Sequence, residues 1–68
     1  MTGKSPVEWV IDLRIARAKD LLEVTELAIE EVAERCGFGS AATLRHHFRL
    51  RVKTSPQEYR QQFSRNRA

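Results

Sequence analysis

Nine consecutive residues of this chain carry a dense run of side chains that could bind a polyanion. Arg45, His46, Arg49, Arg51 and Lys53 fall between positions 45 and 53, Arg60 follows, and Arg65 and Arg67 lie near the end. Just ahead of them stand four small residues, Ser40, Ala41, Ala42 and Thr43. On a helix, small side chains at the N-terminal end let the backbone approach the edges of base pairs, and longer donors behind them reach bases and phosphates. Ala42 and Thr43 can each offer a methyl group to a thymine. Arg45 and His46 come within reach of base edges, with guanine the natural partner for Arg45. Arg49, Arg51 and Lys53 are better placed for phosphates, or serve simply as solubilising charge, and Arg60 extends the same positive surface. Phosphate contacts would position such a helix, and base contacts would give it sequence preference.

Other chemistries fit less well. His46 and His47 are neighbours, but adjacent helical residues point about 100° apart. No third Cys, His, Asp or Glu converges on them in the sequence, so no metal is expected. Cys36 suits a small apolar core position, and Trp9 suits packing against a neighbouring element more than a stacking platform. There is no glycine-rich phosphate loop, no nucleophile with a base and no carboxylate pair in a cleft-forming framework, so neither an enzyme nor a cofactor is expected.

The basic segment needs elements to hold it. Ile29, Val32, Ala33 and Cys36 recur at i, i+3, i+4 and i+7, which predicts a short amphipathic helix with Glu30, Glu31 and Glu34 outside. Gly37 can take the left-handed conformation that ends it, Phe38 tucks back toward the core, and Ala28 is a weak N-terminus. Ser40 can cap the next helix, whose inward residues are Ala41, Leu44, Phe48 and Val52. Its outward arc holds Ala42, Thr43, His46, Arg49 and Leu50, with Arg45 and His47 at the flanks. A capped last helix follows from Ser55, Pro56 and Glu58, with Tyr59 and Phe63 on its inner face. The outline from Ala28 to Arg60 is that of a helix-turn-helix, a unit that presents one helix to the DNA major groove.

Ahead of this unit, Ser5, Pro6 and Glu8 make a helix start, and nothing breaks the helix before about Val24, giving about 28 Å of length. Ile11, Ile15, Ala18 and Leu22 form one apolar stripe; Trp9, Leu13 and Ala16 form a second on another side. A helix that is apolar on two sides expects neighbours on both. The start is echoed fifty residues later: Ser5, Pro6, Glu8, Trp9 and Leu13 match Ser55, Pro56, Glu58, Tyr59 and Phe63. The echo suggests two related units, of which the first lacks everything before its closing helix.

Size and charge bound the reading. Sixty-eight residues make one small domain, and a single cysteine excludes an internal disulfide. No apolar run is long enough to span a membrane, and Met1 to Pro6 lead straight into an amphipathic segment, so neither a signal peptide nor a membrane partner is expected. A reducing, cytoplasmic setting fits. The net charge of +3 hides a segregation: residues 1–34 carry four basic and eight acidic side chains, residues 35–68 eight basic and one acidic. A basic half that coincides with the helix-turn-helix points to a polyanion.

Taken together, Gly37, Phe38, Ser40, Leu44, His46, Phe48 and Arg49, followed by Ser55, Pro56, Tyr59 and Arg60, resemble the C-terminal DNA-binding region of AraC-type bacterial transcription regulators. The long first helix, with Arg14, Ile15, Ala18, Leu21 and Leu22, is similar to the linker helix of that family, and the resemblance runs from Gly3 to about Phe63. It implies an all-α, homeodomain-like fold. Residues 1–27 would be the end of a first helix-turn-helix subdomain and the linker, and residues 28–68 a complete second subdomain with its C-terminal helix. It also implies recognition residues at Ser40, Ala41, Ala42, Thr43, Arg45 and His46, with Arg49 near phosphate. Two departures stand out: Lys53 occupies a position the family usually gives to Gly, and Ala28 replaces a Ser or Thr cap. With Ala at both 41 and 42, direct hydrogen bonding to bases is poorer than usual, so this half is expected to contribute more to affinity than to sequence choice.

The expected function is sequence-specific binding of double-stranded DNA within a transcription regulator. The alternative is a protein-interaction module whose basic helix contacts the transcription machinery, such as RNA polymerase. Self-association through an exposed Trp9 and Leu13 face is expected in either case.

Overall fold

The computed structural model describes residues 5–64, and over that span it contains four helices and no strand. Arg65 and Arg67, expected to extend the basic surface, and the polar tail beyond Ser64 lie outside the described residues, as does Gly3. The helices are α1 (Pro6–Val24), α2 (Ile29–Arg35), α3 (Ala41–Val52) and α4 (Pro56–Phe63).

Each start follows from local chemistry. Ser5, Ser40 and Ser55 cap α1, α3 and α4, their hydroxyls accepting the backbone N–H of Glu8, Thr43 and Glu58. Pro6 and Pro56 open α1 and α4 at a position where the missing N–H costs nothing. Ala28 precedes α2 and makes no side-chain cap.

The end of α2 shapes the turn. Phe38 N–H donates to Ala33 C=O at 2.9 Å and Gly37 N–H to Glu34 C=O at 3.2 Å, which is a Schellman closure. It requires Gly37 at φ +96, and the Arg14 side chain lies over this residue, with Nε 2.9 Å from where a Cβ would stand. Glycine is thus favoured here by conformation, while the flexible end of Arg14 could swing aside from a larger residue.

The core is one cluster. Ile15, Ala18 and Leu22 from α1 meet Val32, Ala33 and Cys36, Leu44 and Phe48, and Tyr59; Ile11, Leu21, Leu27, Ile29, Phe38 and Val52 pack around them. The Phe48 and Tyr59 rings meet edge to face at 5.5 Å. Helix α1 packs against all three other helices, α2 against α3, and α3 against α4. The first helix is therefore the platform on which the helix-turn-helix pair and α4 are assembled.

One expectation about the core changes and one holds. Phe63 was expected on the inner face of α4 but is 50% exposed; as the last helical residue it reaches past the core, with its ring against that of Tyr59 at 4.7 Å. Trp9 is 56% exposed, as is Leu13. No other described helix covers that side of α1, so the exposure expected of the Trp9 and Leu13 face is found.

Candidate nucleic-acid interface

Helix α3 turns Ala41, Leu44 and Phe48 inward, and this orientation decides what its other side can present. Ala42, Thr43, Arg45, His46, Arg49 and Leu50 are all exposed. Ala42 and Thr43 sit in the first turn, ahead of the long side chains, so the start of the helix offers a low surface. The Ser40 hydroxyl accepts the Thr43 N–H at 3.2 Å and lies 3.0 Å from the Thr43 hydroxyl, to which it donates. The two hydroxyls thus brace each other at the entry to the helix.

Ala41 does not share this arc. Its side chain is 5% exposed and faces the core, because a residue one turn from Leu44 and two from Phe48 falls on the same stripe. It can approach a partner only through its backbone.

His47 sits on the flank nearest the turn. Its ring stacks on Phe38 at 5.3 Å with an interplanar angle of 17°, and His46 meets it edge-on at 5.1 Å. Partial burial, with His46 and Arg51 nearby, pushes the His47 pKa below its ordinary value. A neutral imidazole is therefore favoured on this flank while His46 faces solvent. Among the described residues no group of three or more His, Cys, Asp or Glu could hold a metal. Cys36 is buried, its thiol directed at the Ala33 carbonyl at 3.7 Å, and burial raises its pKa.

The basic residues that looked alike in sequence divide into three kinds. Arg45, Arg49 and Lys53 are exposed beside the arc. Lys53 closes α3 in a left-handed conformation at φ 72, with its N–H on the Arg49 carbonyl. Arg51 instead reaches across to α1 and pairs with Asp12 at 2.7 Å, both side chains being about a third exposed. Arg60 turns inward: Nη1 donates to the Leu27 carbonyl at 2.7 Å and Nε to the Leu22 carbonyl at 3.3 Å, while Nη2 is buried with no partner among the described residues. That guanidinium caps the carboxyl end of α1 and holds the loop into α2, so the positive surface expected at Arg60 is spent inside the fold.

The exposure of Arg45, Arg49 and Lys53 agrees with the outward placement expected from the sequence; the inward turns of Arg51 and Arg60 do not follow from it. The Arg51–Asp12 and Arg60–Leu22 contacts join residues far apart in the chain, and no local pattern announces them.

A shallow apolar groove of about 420 Å³ adjoins the N-terminal end of α3, between Val7, Val10 and Ile11 of α1 and Phe38 and His47. Arg14, Gly37 and Thr43 also line it, whereas Trp9 and Leu13 lie on another side of α1.

The surroundings of this geometry in known proteins are consistent. A family model described as "helix-turn-helix domain" matches residues 1–62. The chain is 40% identical over 62 residues to the HTH-type transcriptional regulator Rv1931c of Mycobacterium tuberculosis, covering 91% of this chain and 24% of that protein. It is 37% identical over 60 residues to the HTH-type transcriptional activator RhaS of an Enterobacter species, covering 88% of this chain and 22% of that protein. It therefore spans about a quarter of the length of these curated relatives. Among solved structures, it is similar to the DNA-binding domain of AdpA, a global transcriptional factor crystallised with a target DNA. The TM-score is 0.86 and the identity 44%, over 91% of this chain and 56% of that one.

Proposed function

This chain belongs to the AraC-type helix-turn-helix family, and from that premise we propose that it binds double-stranded DNA sequence-specifically as part of a transcription regulator. The observation that carries this reading is the exposed face of α3. Ala42, Thr43 and His46 form a low, polar arc flanked by Arg45 and Arg49, on a helix whose other side is locked into the core. The likeness to a domain crystallised on its target DNA supports the same reading.

In this reading α3 enters the major groove by its N-terminal half. Thr43, Arg45 and His46 face base edges, and Ala42 allows close approach. Ser40 and the backbone of Ala41 lie at the helix entry, where N–H groups suit a phosphate oxygen. Arg49 and Lys53 lie further along for phosphates. Residues 1–27 act as the end of a first subdomain and a linker, and residues 28–68 as a second reading head. Work on chromosomal DNA in a bacterium implies a cytoplasmic setting.

A salt titration with duplex DNA tests the proposal. Affinity should fall steeply as salt rises, because each neutralised phosphate adds about −0.9 to the slope of log affinity on log salt. Arg45→Ala should reduce base preference, and Arg49→Ala should flatten the slope by about one contact. If both substitutions leave affinity, slope and preference unchanged, the DNA reading fails, and a protein partner such as RNA polymerase becomes the better account of the basic helix.

A further inference from the structure

We propose that Asp12 and Arg51 form a positioning pin that sets the angle of the recognition helix on its platform, and that Arg51 is not one of the phosphate contacts. The inference rests on the DNA-binding reading above and assigns two further residues to it.

Three observations carry the pin. First, Arg51 lies in the last turn of α3 and Asp12 in the first half of α1, so their 2.7 Å pair bridges the reading helix and the helix that carries the whole fold. Second, the core these helices share is built of apolar side chains such as Ile11, Ile15, Leu44 and Phe48, whose packing is non-directional, whereas a short charge-assisted bond has a preferred geometry. Third, the Arg51 guanidinium is drawn toward α1, on the flank shared with His47, and away from the arc of Thr43, His46 and Leu50. A side chain held there has its charge already matched, and a phosphate would have to displace a carboxylate to use it.

The functional consequence is geometric. Base readout tolerates little misplacement of the donors that carry it, so the tilt of α3 controls what Thr43, Arg45 and His46 can reach. The pair holds the last turn of α3, while Ser40 holds its N-terminus and the Phe38–His47 stack its middle. With both ends fixed, the arc presents itself at one pitch. Asp12 also places a negative charge beside a basic surface, a placement that adds nothing to phosphate attraction and is explained by the pairing.

The test compares the wild-type chain with Asp12→Asn, Arg51→Gln and the swapped pair Asp12→Arg with Arg51→Asp. Two readouts are taken: the salt slope on mixed-sequence duplex DNA, and base preference in a selection from a random-sequence duplex pool. Arg51→Gln is expected to keep the wild-type slope, and both single variants to lose several-fold in preference. The swapped pair, which reverses the partners, is expected to recover that preference. A slope flattened by about 0.9 in Arg51→Gln would make Arg51 a phosphate contact and overturn the proposal. So would a swapped pair as defective as the single variants, or an Asp12→Asn variant with sharper preference than wild type. Thermal unfolding runs alongside, where the single and double variants should shift Tm non-additively by a few degrees; additive shifts also overturn the pin. Should the wild-type chain bind no duplex DNA, the DNA reading falls first, and with it the role assigned to the pin.

Discussion

Lys53 shows how a single position can serve stability and binding in opposite directions. It ends α3 at φ 72, a conformation in which a side chain costs about 1–2 kcal/mol, offset in part by the greater freedom glycine has when unfolded. Lys53→Gly is therefore expected to stabilise the fold by about 0.5–1 kcal/mol, a rise of about 4 °C in Tm for a domain of this size. Calorimetry checks this; a fall in Tm would mean that the lysine is not strained. The same substitution removes an exposed cation beside the reading arc, so duplex affinity should fall while Tm rises. His47 gives the pH counterpart. Its pKa is depressed from an ordinary value of 6.5, chiefly by burial, so the unfolded chain binds the proton more readily than the folded one. Stability contributed by neutral His47 is present above 6.5 and declines as pH falls through and below that value. Tm measured between pH 7.5 and pH 5.5 should drop in the wild type and drop less in His47→Phe, which keeps the stack on Phe38; equal drops would remove His47 from the account.

At the scale of elements, what could be read from sequence was whatever the chain encodes within a few residues. The caps at Ser5, Ser40 and Ser55 depend on a hydroxyl and an N–H three positions apart, and Gly37 on its own conformation, so each was visible as a local pattern. The stripe of Ile15, Ala18 and Leu22 was visible by period alone. The fates of the arginines were not, because a long flexible cation has many partners within reach and only the assembled fold selects one. Arg60 is the sharpest case: expected on the DNA-facing surface, it closes the end of α1 by bonding the carbonyls of Leu22 and Leu27. Arg60→Met keeps most of the apolar stem but leaves both carbonyls without this donor. It should cost about 1.5–3 kcal/mol, the usual worth of hydrogen bonds from a charged group, and leave the salt slope of DNA binding unchanged. Urea unfolding and a salt titration on the same variant separate the roles: a normal midpoint with a flattened slope would return Arg60 to the phosphate contacts.

At the scale of the whole molecule, the chain is a platform helix with one side used and one side bare. Ile15, Ala18 and Leu22 of α1 support α2, α3 and α4, whereas Val7, Trp9, Val10 and Leu13 face outward. The echo between Ser5–Leu13 and Ser55–Phe63 explains the likeness of the two segments, and the comparison of their burial explains the difference. Tyr59 is buried beneath its own helix-turn-helix, while Trp9, its counterpart, has no described helix over it. An aromatic ring, a leucine and two valines exposed along the first half of α1 leave apolar surface of the kind that draws proteins together. The chain alone is therefore expected to self-associate as concentration rises, through this face and not through the basic α3. Leu13→Glu places a charge in the middle of the patch without touching the core, since Leu13 is 56% exposed. Sedimentation velocity over a range of concentrations should show the wild type shifting to larger species and Leu13→Glu remaining monomeric, with Tm little changed. A wild type that stays monomeric at every concentration would mean that the bare side of α1 is tolerated in water. Association that survives Leu13→Glu would place the contact elsewhere on the molecule.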